Sequence, residues 1–216
     1  MTLSANTMLQ NRYAIVRMIA QGGMSTVYEA IDHRLNCTVA LKHFTVGDDA
    51  PEKQLDSLRA SFEREAFLLA NLRHPALAAV SDHFAEGNEQ YLVMQYIPGD
   101  DLATMLERNG GSLPFTEVMR WADWLLDALD YLHSQDPPII HLDIKPQNLK
   151  LTPRGEVILL DLGMARRAVT QTKHLSDVLP SIRGYTTQYA PLEQMQGVHT
   201  DVRSDLYALA ATLYHC

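Results

Sequence analysis

The segment His141-Leu142-Asp143-Ile144-Lys145-Pro146-Gln147-Asn148 places an acid, a cation and an amide on one short stretch ahead of an apolar run. Thirteen residues after Asn148 comes Asp161-Leu162-Gly163, closing the apolar run VILLD. An aspartate followed closely by glycine at a strand end can reach a divalent cation. A carboxylate and an amide oxygen converging there suit Mg²⁺, which takes oxygen ligands and keeps several of its waters. Towards the other end of the chain, Lys42 interrupts the apolar run VALKHF, and Glu65 falls on the apolar stripe of Leu55, Leu58, Phe62, Leu69 and Leu72. A buried charge is costly unless an opposite charge meets it, so these two invite pairing. A glutamate at the edge of the stripe, with its carboxylate in water, is the alternative. The connection Ala20-Gln21-Gly22-Gly23-Met24-Ser25 would let backbone N–H groups approach phosphate oxygens. A plain hairpin turn asks for the same glycines.

Elements of two kinds must hold these groups. Tyr13–Ala20, Thr26–Asp32 and Cys37–Phe44 read as β-rich runs, the first two joined by the glycine-containing connection. A helix is expected from about Leu55 to Leu72, stopped by His74-Pro75. Two more strands fit Ala79–Phe84 and Gln90–Tyr96, with Glu86-Gly87-Asn88 as their turn. After Pro98-Gly99 the pattern becomes helical, and Val118, Trp121, Ala122, Leu125, Leu129 and Leu132 define one buried stripe, with Trp121 and Trp124 both read as core. NLKL and EVILLD form a short hairpin around Pro153-Arg154-Gly155, and residues 164–188 make a long polar connection of the kind that carries function. The fold class is α+β. Residues 1–97 form an antiparallel β-sheet lobe with one helix, and residues 98–216 a mainly helical lobe.

Composition narrows the setting. The chain has 216 residues, 46% of them apolar and 20% charged, which excludes a disordered tail or a fibrous repeat. Its net charge of -8 argues against nucleic acid or an anionic membrane as the main partner. Two cysteines, Cys37 and Cys216, make neither a disulfide framework nor a cysteine-rich zinc site, which points to a reducing, cytoplasmic setting. The first residues, MTLSANTMLQ, lack the basic and apolar regions of a signal peptide, and no uncharged apolar run approaches the ~20 residues of a membrane span.

Taken in order, these segments resemble the eukaryotic-like (Hanks-type) serine/threonine protein kinases of bacteria, and the resemblance covers nearly the whole chain. IAQGGMSTV matches the Gly-rich loop, VALK the lysine strand, FEREA the helix bearing Glu65, HLDIKPQN the catalytic loop, DLG the metal motif, YAPLEQ the end of the activation segment, and DVRSDLYAL the helix that follows. The resemblance implies a bilobal fold and transfer of the ATP γ-phosphoryl group to Ser or Thr hydroxyls of protein substrates in signal transduction, with ATP and Mg²⁺. It assigns Lys42 to the α/β-phosphates and to a pair with Glu65, Asp143 to the substrate hydroxyl, Lys145 to the transferred group, and Asn148 and Asp161 to Mg²⁺. Ala20, Gly22, Gly23 and Ser25 would line the phosphates, and Val27 and Ala40 would roof the base. Met94 takes the gatekeeper place, Gln95 and Ile97 offer backbone groups to adenine, and Thr186, with Thr187 as its rival, faces the acceptor residue. Glu193 and Asp205 are expected as structural anchors, and His141 as a packed residue with Leu69 and Leu162.

The chain departs from the pattern in four places. Ala20 and Ser25 replace the first and third glycines of the loop, which implies weaker ATP affinity without its loss. Leu142 replaces the arginine that normally receives an activation-segment phosphate, which implies activity independent of phosphorylation at Thr170, Thr172, Ser176 or Ser181. Lys150 stands where an apolar residue floors the adenine, its stem substituting while the ammonium snorkels outward. The final LYALAATLYHC reads as part of a core helix, so the resemblance implies an incomplete helical lobe with an exposed apolar face. Two other classes stay open on the sequence: a pseudokinase acting as a binding scaffold, and a small-molecule phosphotransferase on the same fold. Intact Lys42, Glu65, Asp143, Asn148 and Asp161 weigh against the first, and Lys145-Pro146 with YAPLEQ against the second.

Overall fold

The structure, a computed structural model, describes residues 2–22, 25–44, 63, 66–67, 69–87, 89–161, 166–167 and 188–216. They form two compact units, Met1–Arg73 with Ala78–Ile97, and His74–Leu77 with Pro98–Cys216.

The first unit is an antiparallel sheet. Its strands are β1 (Met8–Leu9), β2 (Tyr13–Gln21), β3 (Ser25–Asp32), β4 (Cys37–Phe44), β5 (Val80–Glu86) and β6 (Glu89–Gln95), in the order β1-β2-β3-β4-β6-β5. Alternation along the strands decides what each face carries. Tyr13, Ile15, Tyr28, Ala30, Val39, Leu41, Tyr91 and Val93 form one buried cluster, closed at its margin by Leu3, whose N–H donates to the Tyr28 hydroxyl at 3.0 Å. Aromatic rings continue this face, with Tyr13 against Phe84, Phe84 against Tyr91 and Tyr91 against His43 at centroid distances of 5.5, 4.9 and 4.7 Å. Of the helix expected at 55–72, residues 63, 66, 67, 69 and 70 are described and helical. Leu69 and Leu72 are buried and Phe67 is exposed, while Leu55, Leu58, Phe62 and Glu65 lie outside the described residues.

One ion cluster ties the start of this sheet to its end. The Arg12 guanidinium donates to Asp32 at 2.7 Å and to Asp82 at 2.8 Å, and the Tyr13 hydroxyl donates to Asp82 at 2.6 Å. Asp32 is buried, and the hydrogen bond from Arg12 holds its carboxyl below the ordinary value of 3.8. A carboxyl lowered by folding contributes fully above its unfolded value, and the contribution disappears as pH falls through the folded value. Asp32→Asn is therefore expected to cost about 1–3 kcal/mol near neutral pH. The deficit relative to wild type should shrink as the pH drops below 3.8, which thermal melts across an acid series would show.

The second unit is mainly helical. It contains α1 (Leu102–Arg108), α2 (Phe115–His133), β7 (Ile139–Ile140), β8 (Leu149–Leu151), β9 (Val157–Leu159), β10 (Arg166–Arg167), α3 (Leu192–Met195) and α4 (Val202–His215). The α2 stripe of Val118, Trp121, Ala122, Leu125, Leu129 and Leu132 is buried as the spacing requires. Trp124 is a correction: it is 38% exposed, because its place on the helix lies on the flank of the stripe whose centre buries Trp121. Gly99, at φ 110, opens the unit, and a Cβ there would come within 2.2 Å of the Leu151 carbonyl oxygen. The segment His74–Leu77 belongs to this unit as well. Its Ala76 carbonyl accepts from Leu159 N–H at 2.8 Å, and the His74 ring meets Asp127 at 3.0 Å. No helix among the described residues is long and apolar enough to cross a membrane.

Candidate active site

The loop that follows β7 is held from beneath by α4. Asp205, fully buried in the first turn of that helix, accepts the backbone N–H groups of His141 and Leu142 at 2.8 Å each and the His133 ring at 2.9 Å. Further along α4, the Thr212 hydroxyl reaches the Ile144 carbonyl at 3.4 Å, and Ala208 lines a small cavity with Leu142, Asp143, Ile144, Lys145, Tyr189 and Ala190. His141 has no exposed surface; its Nδ1 accepts from Asp143 N–H at 3.3 Å, and its Nε2 meets the Leu160 carbonyl at 3.1 Å. One tautomer, Nε2–H, satisfies both. His141 is thus a packed structural residue; its expected neighbour Leu162 lies outside the described residues, and Leu69 is buried in the first unit.

With the loop fixed, its side chains converge. Asp143 Oδ2 takes Lys145 Nζ at 2.9 Å and Asn148 Nδ2 at 2.9 Å, and the same Nδ2 donates to the Asp143 carbonyl at 2.7 Å. Asn148 closes a 3-10 turn, Pro146–Asn148, whose N–H returns to the Lys145 carbonyl at 2.9 Å. The Leu160 N–H donates to the Asn148 carbonyl at 2.8 Å, which brings Asp161 beside the loop at the end of the β8–β9 hairpin. Asp161 stands at φ 54 and Leu142 at φ 67, a left-handed backbone that costs a residue with a side chain about 1–2 kcal/mol. At Leu142 such strain persists because the surroundings over-determine it, the bond from its N–H to buried Asp205 among them.

The chemistry of the donors fits Mg²⁺. Asn148 spends its Nδ2 on Asp143, which leaves its Oδ1 as an acceptor, and Asp161 follows Leu160, whose N–H bonds the Asn148 carbonyl. An amide oxygen and a carboxylate are the hard, partial set that this ion accepts while keeping waters and phosphate oxygens.

The first unit assembles its own share of the predicted residues on the sheet face opposite the aromatic cluster. Register pairs Ala20 with Val27, Val27 with Lys42, Lys42 with Leu92, and Ala40 with Met94, so these side chains share that face. Lys42 is buried, with Nζ 5.1 Å from the Phe44 ring centroid. The Gly22 N–H donates to the Ser25 carbonyl at 2.8 Å across the β2–β3 turn, and a Cβ on Gly22 would make only ordinary contacts. The fold itself therefore does not require glycine at 22. Gln95 commits its N–H to the Ala79 carbonyl at 2.8 Å, which leaves that donor unavailable to a base; Ile97 is buried. Gly23, Glu65, Leu162, Gly163, Thr186 and Thr187 lie outside the described residues, as do Thr170, Thr172, Ser176 and Ser181.

The anchors behave as such: the Glu193 carboxylate accepts the Ser204 hydroxyl at 2.7 Å. Lys150 is half-buried on β8 opposite Ile158, with Asp101 bridged to its backbone. Sequence reasoning passed over Gln194, Thr212 and His133, all of which reach the loop or its buried anchor. Each is an ordinary helical polar residue, and only the fold shows what it faces.

The described chain is similar to solved and curated proteins of one kind. The kinase domain of PknI from Mycobacterium tuberculosis superposes with a TM-score of 0.73 at 27% identity, covering 100% of this chain and 76% of that one. Serine/threonine-protein kinase PknA of Mycobacterium tuberculosis is 33% identical over 95% of this chain and 46% of its own length. A probable serine/threonine-protein kinase of Streptomyces coelicolor is 36% identical over 95% of this chain and 30% of its own length, and one of Clostridium perfringens 34% over 95% and 28%. The chain thus spans less than half the length of these curated relatives. The family model described as protein kinase domain matches residues 13–216, and the chain belongs to the protein kinase family.

Proposed function

We propose that this chain is the catalytic part of an ATP- and Mg²⁺-dependent protein serine/threonine kinase, built of an N-lobe over 1–97 and a C-lobe portion over 98–216. The observation that carries the reading is the Asp143 carboxylate, fixed through Oδ2 by Lys145 at 2.9 Å and Asn148 at 2.9 Å in a loop anchored on buried Asp205. In this reading Asp143 orients the acceptor hydroxyl and takes its proton as the new O–P bond forms and the bond to ADP breaks. Lys145 stays beside the transferred group and offsets its charge. Asn148 Oδ1 and Asp161 hold Mg²⁺, which neutralises phosphate charge when bound. Lys42 holds the α/β-phosphates with Glu65 as its partner. Ala20, Gly22, Gly23 and Ser25 present backbone to the phosphates, and Val27, Ala40, Met94, Gln95 and Ile97 enclose the base. Thr186 selects hydroxyl acceptors. Catalysis is then positioning and electrostatics.

Leu142 gives the same site its regulation. Its side chain is buried and lines the cavity with Tyr189 and Ala190, so position 142 offers no cation to an activation-segment phosphate. Transfer proceeds without such phosphorylation in this reading. Free Cys37 and Cys216, together with the acidic balance, suit a cytoplasmic signalling enzyme.

The test is to offer the protein labelled ATP and Mg²⁺ with a mixture of a generic protein acceptor and small hydroxyl metabolites. Label is expected on protein Ser and Thr, from phosphatase-treated enzyme as well. Label confined to small molecules, or ATP binding without transfer, would overturn the reading.

A further inference from the structure

The peptide of Leu142 is gripped on both sides. Asp205 takes its N–H at 2.8 Å, and the buried Gln194 donates its Nε2 to the Leu142 carbonyl, also at 2.8 Å. Gln194 sits on α3, immediately after the YAPLEQ glutamate, and its own N–H returns to the Pro191 carbonyl at 3.1 Å. Leu142 is the residue held at φ 67, and Asp143 follows it directly, so the setting of this peptide decides where the Asp143 carboxylate points. A leucine gains by relaxing to negative φ, and one hydrogen bond at its N–H leaves rotation of the following carbonyl free. The second bond, at the carbonyl, removes that freedom.

We propose that Gln194 is a positioning residue for Asp143: its amide locks the left-handed Leu142 peptide and so ties the end of the activation segment to the catalytic loop through an uncharged bond. The proposal rests on the kinase reading and deepens its regulation, since it supplies a link that carries no phosphate. Nearby contacts support the same junction. The Tyr189 hydroxyl meets His215 Nδ1 on α4 at 2.6 Å, and Leu142, Tyr189 and Ala190 line one cavity. The catalytic loop, α3 and α4 therefore meet at residue 142.

The test pairs Gln194→Met, close in size and without a donor, with Gln194→Glu, close in shape and repelling the carbonyl. Each is made in the wild type and in Leu142→Gly, where glycine adopts positive φ without steric cost. In the wild-type background both variants are expected to lower kcat about 10- to 100-fold with ATP KM within about twofold, as a misplaced catalytic group does. Amide exchange at Leu142 and Asp143 should accelerate in parallel. In Leu142→Gly the same changes should cost less than about threefold, because there is no strained residue left to hold. Unchanged kcat and exchange, or equal losses in both backgrounds, would overturn the proposal. Failure of both variants to fold would overturn it too, by assigning Gln194 to the fold instead of the loop. A wild-type protein that transfers no phosphate would instead defeat the kinase reading, and exchange at Leu142 would still decide the role of Gln194.

Discussion

Asp205→Ala is expected to destabilise the helical unit by about 3–5 kcal/mol and to remove activity with it. The carboxylate is fully buried and serves three donors, the N–H groups of His141 and Leu142 and the ring of His133. Truncation leaves two backbone donors buried with no acceptor, at about 1–3 kcal/mol each, besides stranding the histidine. It also releases Leu142 from the bond at its N–H, so the left-handed peptide loses one of its two restraints. A domain of this size shifts its melting temperature by about 2–4 °C per kcal/mol, which places the loss near 10 °C. Asp205→Asn keeps the volume and one acceptor, and it should fall between wild type and alanine. A melting temperature for Asp205→Ala within about 2 °C of wild type would show that the loop is held by other means.

This anchoring was only partly legible in the sequence. The strands could be read as β-rich runs between turn signals, but β4 buries Leu41, Lys42 and His43 in succession and β6 does the same over residues 90–93, so the two faces of the sheet could not be read from period. The α2 stripe was plain, since its six apolar positions repeat over several turns. Among short elements, the β8–β9 hairpin was legible from its turn, but α1 was not. α1, only seven residues long, rests on the cap Asp101, whose carboxylate accepts from Thr104 N–H at 2.8 Å, and it is too brief for a period to show. In the site, Asp143, Lys145 and Asn148 stood out as an acid, a cation and an amide on one short segment, and the resemblance carried by all the motifs in order gave them their roles. Gln194, His133 and Thr212 gave no such signal. Their spacing from the loop in sequence carries no period, and their roles arise from α3, α2 and α4 meeting beneath it. Trp124 shows the converse error, a large apolar residue at a helix flank that the fold leaves 38% exposed.

Asp143→Asn is expected to lower phosphoryl transfer by about 10²–10⁴-fold while MgATP still binds. The replacement preserves shape, and Asn148, Asp161 and Lys42 are untouched. In the proposed mechanism it removes the base that takes the hydroxyl proton, and it also removes the negative charge that Lys145 meets at 2.9 Å. Lys145 is then free to move away from the transferred group, so positioning suffers along with proton acceptance. The fold should hold, because the Asp143 carbonyl and N–H keep their bonds to Asn148 and His141. Rates from labelled ATP, read beside nucleotide affinity from calorimetry, separate the two effects. A variant within about tenfold of wild type would mean that Asp143 does not take the hydroxyl proton.

The most direct measurement is the intact mass of a Ser/Thr-bearing acceptor protein after incubation with MgATP and either the wild-type protein or Asp143→Asn. Added phosphate on Ser or Thr with the wild type, and none with the variant over the same time, is the predicted result. Equal phosphate from both, or none from either while both bind MgATP, would contradict the assignment of this loop as the catalytic centre of a protein kinase.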